Sequence, residues 1–118
     1  MNDARHREAL DRAKSITARV IRALAISPRS EEDYAGPLEQ LGRAQDRFCD
    51  LLPRHDDPTR FWETLWRRSG RMWKQWERVE RVTERAGEDV LGALKPTLDA
   101  HRRELYRRVR CFINEHAP

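Results

Sequence analysis

Apolar residues recur at helical spacing along most of the chain. Leu10, Ala13, Thr17, Val20, Ile21 and Leu24 fall on one face of a helix predicted from about Asp3 to Ala25, which Ser27-Pro28 ends. Ser30-Glu31-Glu32-Asp33 reads as a helix start, with Ser30 as cap and acids in the first turn. Gly36-Pro37 interrupts it, so the main second helix is predicted to begin near Pro37 and to bury Leu38, Leu41, Phe48 and Leu52. Residues 53–58 form a loop in which Asp57 suits an N-cap and Pro58 a first helical position. A long third helix follows from Thr59 to Arg85, with Gly70 as its one glycine. Gly87 and Gly92 loosen the next segment, and Pro96 is expected to start a last helix that runs to about Glu115. That helix buries Leu98, Leu105, Val109, Phe112 and Ile113. With no strand-like alternation, the pattern predicts an all-α chain: one compact bundle of four to five helices over residues 1–118. Leu24, Phe48, Leu65, Trp76, Val109 and Phe112 are the expected centres of one core.

The third helix divides most sharply. At about 100° per residue, Phe61, Trp62, Leu65, Trp66, Met72, Trp73, Trp76 and Val79 share one broad face. Arg60, Arg67, Arg71, Lys74, Arg78, Arg81 and Arg85 share the other, a stripe about 37 Å long at roughly 1.5 Å per residue. Glu63, Glu77, Glu84 and Glu88 run along one edge. The first and last helices repeat the arrangement with Arg5, Arg12 and Arg19, and with Arg103, Arg107 and Arg110. The second helix differs: its surface carries Glu39, Asp46 and Asp50, with Arg43 and Arg47 among them.

Charge changes the picture because it is uneven. Residues 1–29 carry a net +4, residues 30–57 a net −5 and residues 58–118 a net +5. A basic chain with one acidic segment suits a polyanion on one surface and a protein neighbour on another; a solvated surface threaded by ion pairs is the plain alternative. Mean hydropathy is −0.94 and charged residues make up 37%, but periodic apolar positions argue against disorder. No apolar run approaches the roughly 18 residues of a membrane span, and the start of the chain lacks the apolar core of a signal peptide. A cytoplasmic location with no membrane contact is the expectation. Cys49 and Cys111 read as reduced structural residues.

The candidate chemistry is binding. Rows of guanidinium groups on rigid helices neutralise a phosphate backbone without reading bases. Arg67, Arg68, Arg71 and Lys74 form a patch with only Glu63 nearby, and residues 102–110 hold five Arg and one Glu. The Trp stripe reads first as core, with Trp66 and Trp73 nearest its edge and so the candidates for an exposed interface. Arg110 and His116 have the Arg-x5-His spacing of helical ribonucleases of the HEPN class. Cys111 replaces the usual polar residue there, and the helix projects the two side chains apart, so a ribonuclease toxin is a distant alternative. His101 lies beside the apolar face and reads as a hydrogen-bonded boundary residue. Cys49, His55, Cys111 and His116 make no zinc pattern. The sequence implies no cofactor, no metal and no enzyme.

As a whole-chain pattern the protein resembles the small, all-helical subunits of multi-subunit CRISPR effector complexes. The resemblance rests on the rows at Arg67, Arg71, Lys74 and Arg78 and at Arg103, Arg107 and Arg110, with the acidic second helix as a self-association face. It implies a non-enzymatic antiviral-defence subunit that contacts RNA or single-stranded DNA through its backbone. It also implies protein partners, copies of itself among them; the residues read as facing them are Glu39, Asp46 and Asp50 of the acidic helix and Trp66 and Trp73 at the edge of the apolar stripe. A protein-interaction module with no nucleic-acid role, such as an immunity, inhibitor or adaptor protein, is the alternative from another class.

Overall fold

The computed structural model describes residues 2–26, 31–52 and 58–116, with side chains described over 4–25, 34–52 and 63–115. The described residues form four helices: α1 (Asn2–Ile26), α2 (Glu31–Asp50), α3 (Pro58–Ala86) and α4 (Glu88–His116). Two of the proline breaks read from the sequence are absent. Pro37 lies inside α2 and Pro96 inside α4. Each proline removes one ladder hydrogen bond and crowds the carbonyl four residues back, a penalty of about 3 kcal/mol. Both are flanked by buried side chains, Tyr34 and Leu38 around Pro37, and Val90, Leu94 and Leu98 around Pro96. Several side chains at roughly 1.5–3 kcal/mol each outweigh one penalty, so each helix continues through its proline. Ser30 and Asp57, read as caps, lie outside the described residues, as does the His55-Asp56-Asp57 loop.

Gly87 alone separates α3 from α4. Its φ of +124° is a conformation open to glycine and strained for any side chain. Its carbonyl accepts the first turn bond of α4, from Leu91 N at 3.0 Å. One residue therefore ends one helix and starts the next.

In the bundle α1 packs on α2 and α3, while α4 packs on α3 and α2. Adjacency thus runs α1, α2, α4, α3, and the link from α2 to α3 crosses the diagonal. Glu80 meets Arg102, while Trp66, earlier in α3, lines a cleft with Leu105 and Val109, later in α4, so α3 and α4 run antiparallel. Gln45 meets His101 and Asp50 meets Arg108 at nearly constant offset, so α2 and α4 run parallel. The chain measures 48 × 23 × 17 Å.

The core forms one cluster. Leu24, Phe48, Leu65, Trp76 and Val109 are buried within it and Phe112 packs half-buried against it. Two polar clusters are sealed inside. In the first, Trp76 Nε1–H donates to Gln45 Oε1 at 2.6 Å, Gln45 Nε2–H donates to the His101 carbonyl at 2.8 Å, and the His101 ring stacks on Trp76 at 4.4 Å. In the second, the buried His6 ring stacks on Phe48 at 4.1 Å and lies with Nδ1 3.0 Å from an Arg68 guanidinium nitrogen. Because guanidinium only donates, His6 Nδ1 must accept there. The hydroxyls of Thr17 and Thr83 are satisfied within their own helices, by the carbonyls of Ala13 and Val79.

Candidate nucleic-acid interface

Arg67, Arg71, Lys74 and Arg78 are all exposed on α3. Their spacing of four, three and four keeps them within about 60° of arc, in a row about 16 Å long. The opposite face of the same helix is fully buried through Leu65, Met72, Trp76 and Val79, which fixes the direction of the row. Among the described residues Arg67, Arg71 and Lys74 take part in no ion pair, and Arg78 donates only to the neutral Gln75 side chain at 3.4 Å. Arg81 is tied to Glu77 at 3.6 Å, so the uncompensated row stops at Arg78. The side chains of Arg60, Phe61 and Trp62 lie outside the described residues.

Arg68 does not belong to this patch. It is 3% exposed and turned inward onto His6. One step along the helix from Arg67 is about 100°, enough to carry a side chain from the solvent face to the α1 interface.

Three of the five arginines between residues 102 and 110 are already compensated. Arg102 pairs with Glu80 at 2.5 Å and lies over the Trp73 ring. Arg108 pairs with Asp50 at 2.6 Å, and this hydrogen bond keeps its guanidinium still more firmly protonated. Arg107 forms two hydrogen bonds to Glu104, at 2.6 and 3.1 Å, which hold the Glu104 carboxyl below its ordinary range. Arg103 and Arg110 are exposed and have no carboxylate partner among the described residues; Arg110 donates to the Tyr106 hydroxyl at 3.5 Å. The sequence placed Arg103, Arg107 and Arg110 together as one row, and the structure leaves charge uncompensated at its two ends.

Trp66 and Trp73 do reach the bundle edge. Trp66 is 57% exposed and Trp73 half-buried. With Gly70, Leu105, Val109 and Tyr106 they line an apolar cleft of about 180 Å³ between α3 and α4. Tyr106, also 57% exposed, was missed by the sequence reading. It sits one position off the apolar stripe beside Leu105, and its signal was that an aromatic there has no core to enter.

On α2 Glu39, Asp46 and Asp50, the acids expected to face a protein neighbour, are exposed. Glu39 holds Arg43 at 2.7 Å and Asp50 holds Arg108, while Asp46 forms no ion pair among the described residues. Arg43 and Arg47 are interspersed with Asp46 and Asp50, all four exposed within about 100° of arc. The two arginines also line clefts shared with α1, whereas the two aspartates act on groups of α4, His101 and Arg108.

Cys49 is buried, and burial pushes its thiol up to about 12; Cys111 is exposed. Among the described residues no group of three or more His, Cys, Asp and Glu could hold a metal ion, and no helix is long and apolar enough to cross a membrane. The His116 side chain lies outside the described residues, so its relation to Arg110 is not placed. No protein-family model, no curated protein and no solved structure matches this chain.

Proposed function

We propose that this chain is a non-enzymatic helical subunit of a nucleoprotein assembly, of the kind found in multi-subunit CRISPR effectors. In this reading it holds a nucleic-acid backbone on α3 and neighbouring protein subunits on other faces. The observation that carries the reading is the row Arg67, Arg71, Lys74 and Arg78: four exposed cations in line on a rigid helix, none held by a carboxylate. A solvated helix face of ordinary composition pairs such cations at i,i+4, as Glu77 does with Arg81 on the same helix. The row departs from that rule over three turns. Evenly spaced cations on a helix exterior match a repeating charge and have no geometry for base edges.

The test is fluorescence anisotropy of 20-nucleotide RNA and single-stranded DNA across a salt series. Arg67→Glu/Arg71→Glu should weaken binding to unrelated sequences alike and lower the slope of log affinity against log salt by at least roughly 1.4–1.8, from two lost phosphate contacts. The control, Arg81→Glu, removes the same charge at a paired position and should have a smaller effect. Equal loss in both variants would reduce the effect to net charge.

A second reading has its own support. The exposed Trp66 and Tyr106 beside the apolar α3/α4 cleft have the composition of a protein-interface centre. Trp66→Ala/Tyr106→Ala should abolish subunit association and leave oligonucleotide affinity in place; loss of nucleic-acid affinity in that variant would assign the aromatics to base stacking instead.

A further inference from the structure

We propose that the cleft between α1 and α2 is a second phosphate-binding surface, formed by Arg5, Arg12 and Arg47 with Arg43 at its rim. Two adjoining hollows lie there. One, of about 370 Å³, is lined by Arg12, Gln40, Arg43 and Arg47; the other, of about 200 Å³, by Arg5, Glu8, Arg12 and Arg47. Arg12 and Arg47 border both, so guanidinium groups from two helices converge on one concave site. The floor is made by the small buried side chains of Ala9 and Ala44, which leave the groove open.

The charge balance in this cleft is one-sided. Among the described residues Glu8 is the one carboxylate that lines it, and Glu39 is engaged by Arg43 at 2.7 Å. Arg5, Arg12 and Arg47 form no ion pair among the described residues. The nearby Arg19, seven residues along α1 from Arg12, donates to the neutral Gln40 oxygen at 3.1 Å and keeps its full charge. Arginine cannot relieve like-charge crowding by losing a proton, as lysine or histidine can. The fold therefore holds a concentration of fixed positive charge in a concave place, where an entering anion is favoured over bulk solvent. Guanidinium forks from two sides suit phosphate oxygens in particular, because each presents two parallel donors. Arg43 and Arg47 stand among the acids of α2, as the sequence places them, and also line the hollows that Arg12 of α1 borders.

The inference rests on the nucleoprotein reading in taking nucleic-acid backbone as the source of the phosphate. A backbone held on α3 and on the α1/α2 cleft would follow the basic side of the bundle around α1. Free polyphosphate offers the same chemistry, so the experiment uses both. Wild type, Arg12→Gln/Arg47→Gln and Arg67→Gln/Arg71→Gln are compared for binding of a 20-nucleotide single strand across a salt series. Inorganic tripolyphosphate is titrated into each, followed by chemical shifts of labelled α1 and α2. The expected result for the cleft variant is a fall of roughly 1.4–1.8 in the salt slope, additive with that of the α3 variant, and loss of the tripolyphosphate shifts. Shifts that depend on Arg12 and Arg47 with unchanged oligonucleotide binding would assign the cleft to free polyphosphate and overturn the backbone track. Neither probe sensing the cleft substitutions overturns the site itself. In that case continued sensitivity to the α3 pair would leave the proposed function standing, and insensitivity to both pairs would remove it too.

Discussion

The indole N–H of Trp76 donates to the side-chain oxygen of Gln45 at 2.6 Å, tying α3 to α2 across the diagonal of the bundle. Both side chains are fully buried, and the Gln45 amide goes on to the His101 carbonyl of α4 at 2.8 Å. One glutamine thus joins three helices, and its bond to the Trp76 indole is buried. Gln45→Leu keeps the volume but strands the indole donor. Leaving a buried group unsatisfied costs about 1–3 kcal/mol, so the urea midpoint should fall accordingly. Trp76→Phe strands the other end. Because the two residues share one bond, the double variant should lose less than the sum of the singles, a coupling that a double-mutant cycle measures.

Gly42 and His101 are matched in shape. A Cβ at Gly42 would lie 2.6 Å from His101 Cε1 and 3.1 Å from Nε2, and the ring cannot retreat because Trp76 stacks on its other side. Gly42→Ala should therefore destabilise the fold by roughly 1–3 kcal/mol through overpacking, despite the better helix propensity of alanine. Gly92→Ala, where the new methyl meets nothing within 4 Å, should instead stabilise α4 by about 0.5–1 kcal/mol. Thermal melts of the two variants moving in the same direction would contradict this packing.

The same enclosure gives the fold a pH dependence. Burial against Trp76 and Gly42 lowers His101 below its ordinary value of 6.5, and the Asp46 carboxylate only partly opposes this. As pH falls below about 6.5 the unfolded chain takes up a proton at this residue that the folded chain refuses, so unfolding gains. The contribution of His101 to stability is therefore complete above the unfolded value and declines on acidification until the folded imidazole protonates in turn. Denaturant midpoints at pH 7.5 and 5.5 should differ more in wild type than in His101→Phe, which keeps a ring on Trp76 and cannot titrate.

How much of this was legible in the sequence depends on which force set each feature. Helical spacing of Leu65, Met72, Trp76 and Val79 is a property of one segment, so the buried face of α3 could be read directly, and the outward row from Arg67 to Arg78 followed from it. The ends of α2 and α4 could not. Pro37 and Pro96 are local break signals, and they were overridden by burial of Tyr34, Leu38, Val90, Leu94 and Leu98 against other helices, which sequence does not display. Arg68 was likewise counted as surface because its partner His6 comes from α1, 62 positions away. The facing of Arg47 toward Arg12 is a third case: it depends on which neighbour each side of α2 meets.

The two cysteines should differ in chemistry. Cys111 is exposed, while Cys49 is buried with its thiol pushed up to about 12. The thiolate is the reactive form. Native protein at pH 8 should react with one equivalent of a disulfide reagent, at Cys111, and take up the second only on unfolding. Two equivalents in native protein would show that the α2/α4 contact over Cys49 opens readily.

Arg67 and Arg68, adjacent in sequence, should separate stability from binding. Arg67 is exposed and has no ion-pair partner among the described residues, so Arg67→Gln is expected to change stability by no more than about 0.5 kcal/mol and to act on nucleic-acid affinity. Arg68 is 3% exposed and lies 3.0 Å from His6 Nδ1, on a ring stacked against Phe48. Arg68→Ala removes a donor from a sealed acceptor and empties the volume of its aliphatic stem. The two losses together should cost roughly 2–4 kcal/mol, since an unsatisfied buried acceptor costs about 1–3 kcal/mol before any cavity is counted. Chemical denaturation and oligonucleotide anisotropy on the same two proteins give a crossed result: Arg67→Gln stable and weak in binding, Arg68→Ala unstable but of near wild-type affinity wherever it is folded. If Arg68→Ala were as stable as wild type and impaired in binding, the buried arginine would belong to the nucleic-acid surface, and the inward turn of residue 68 would be wrong.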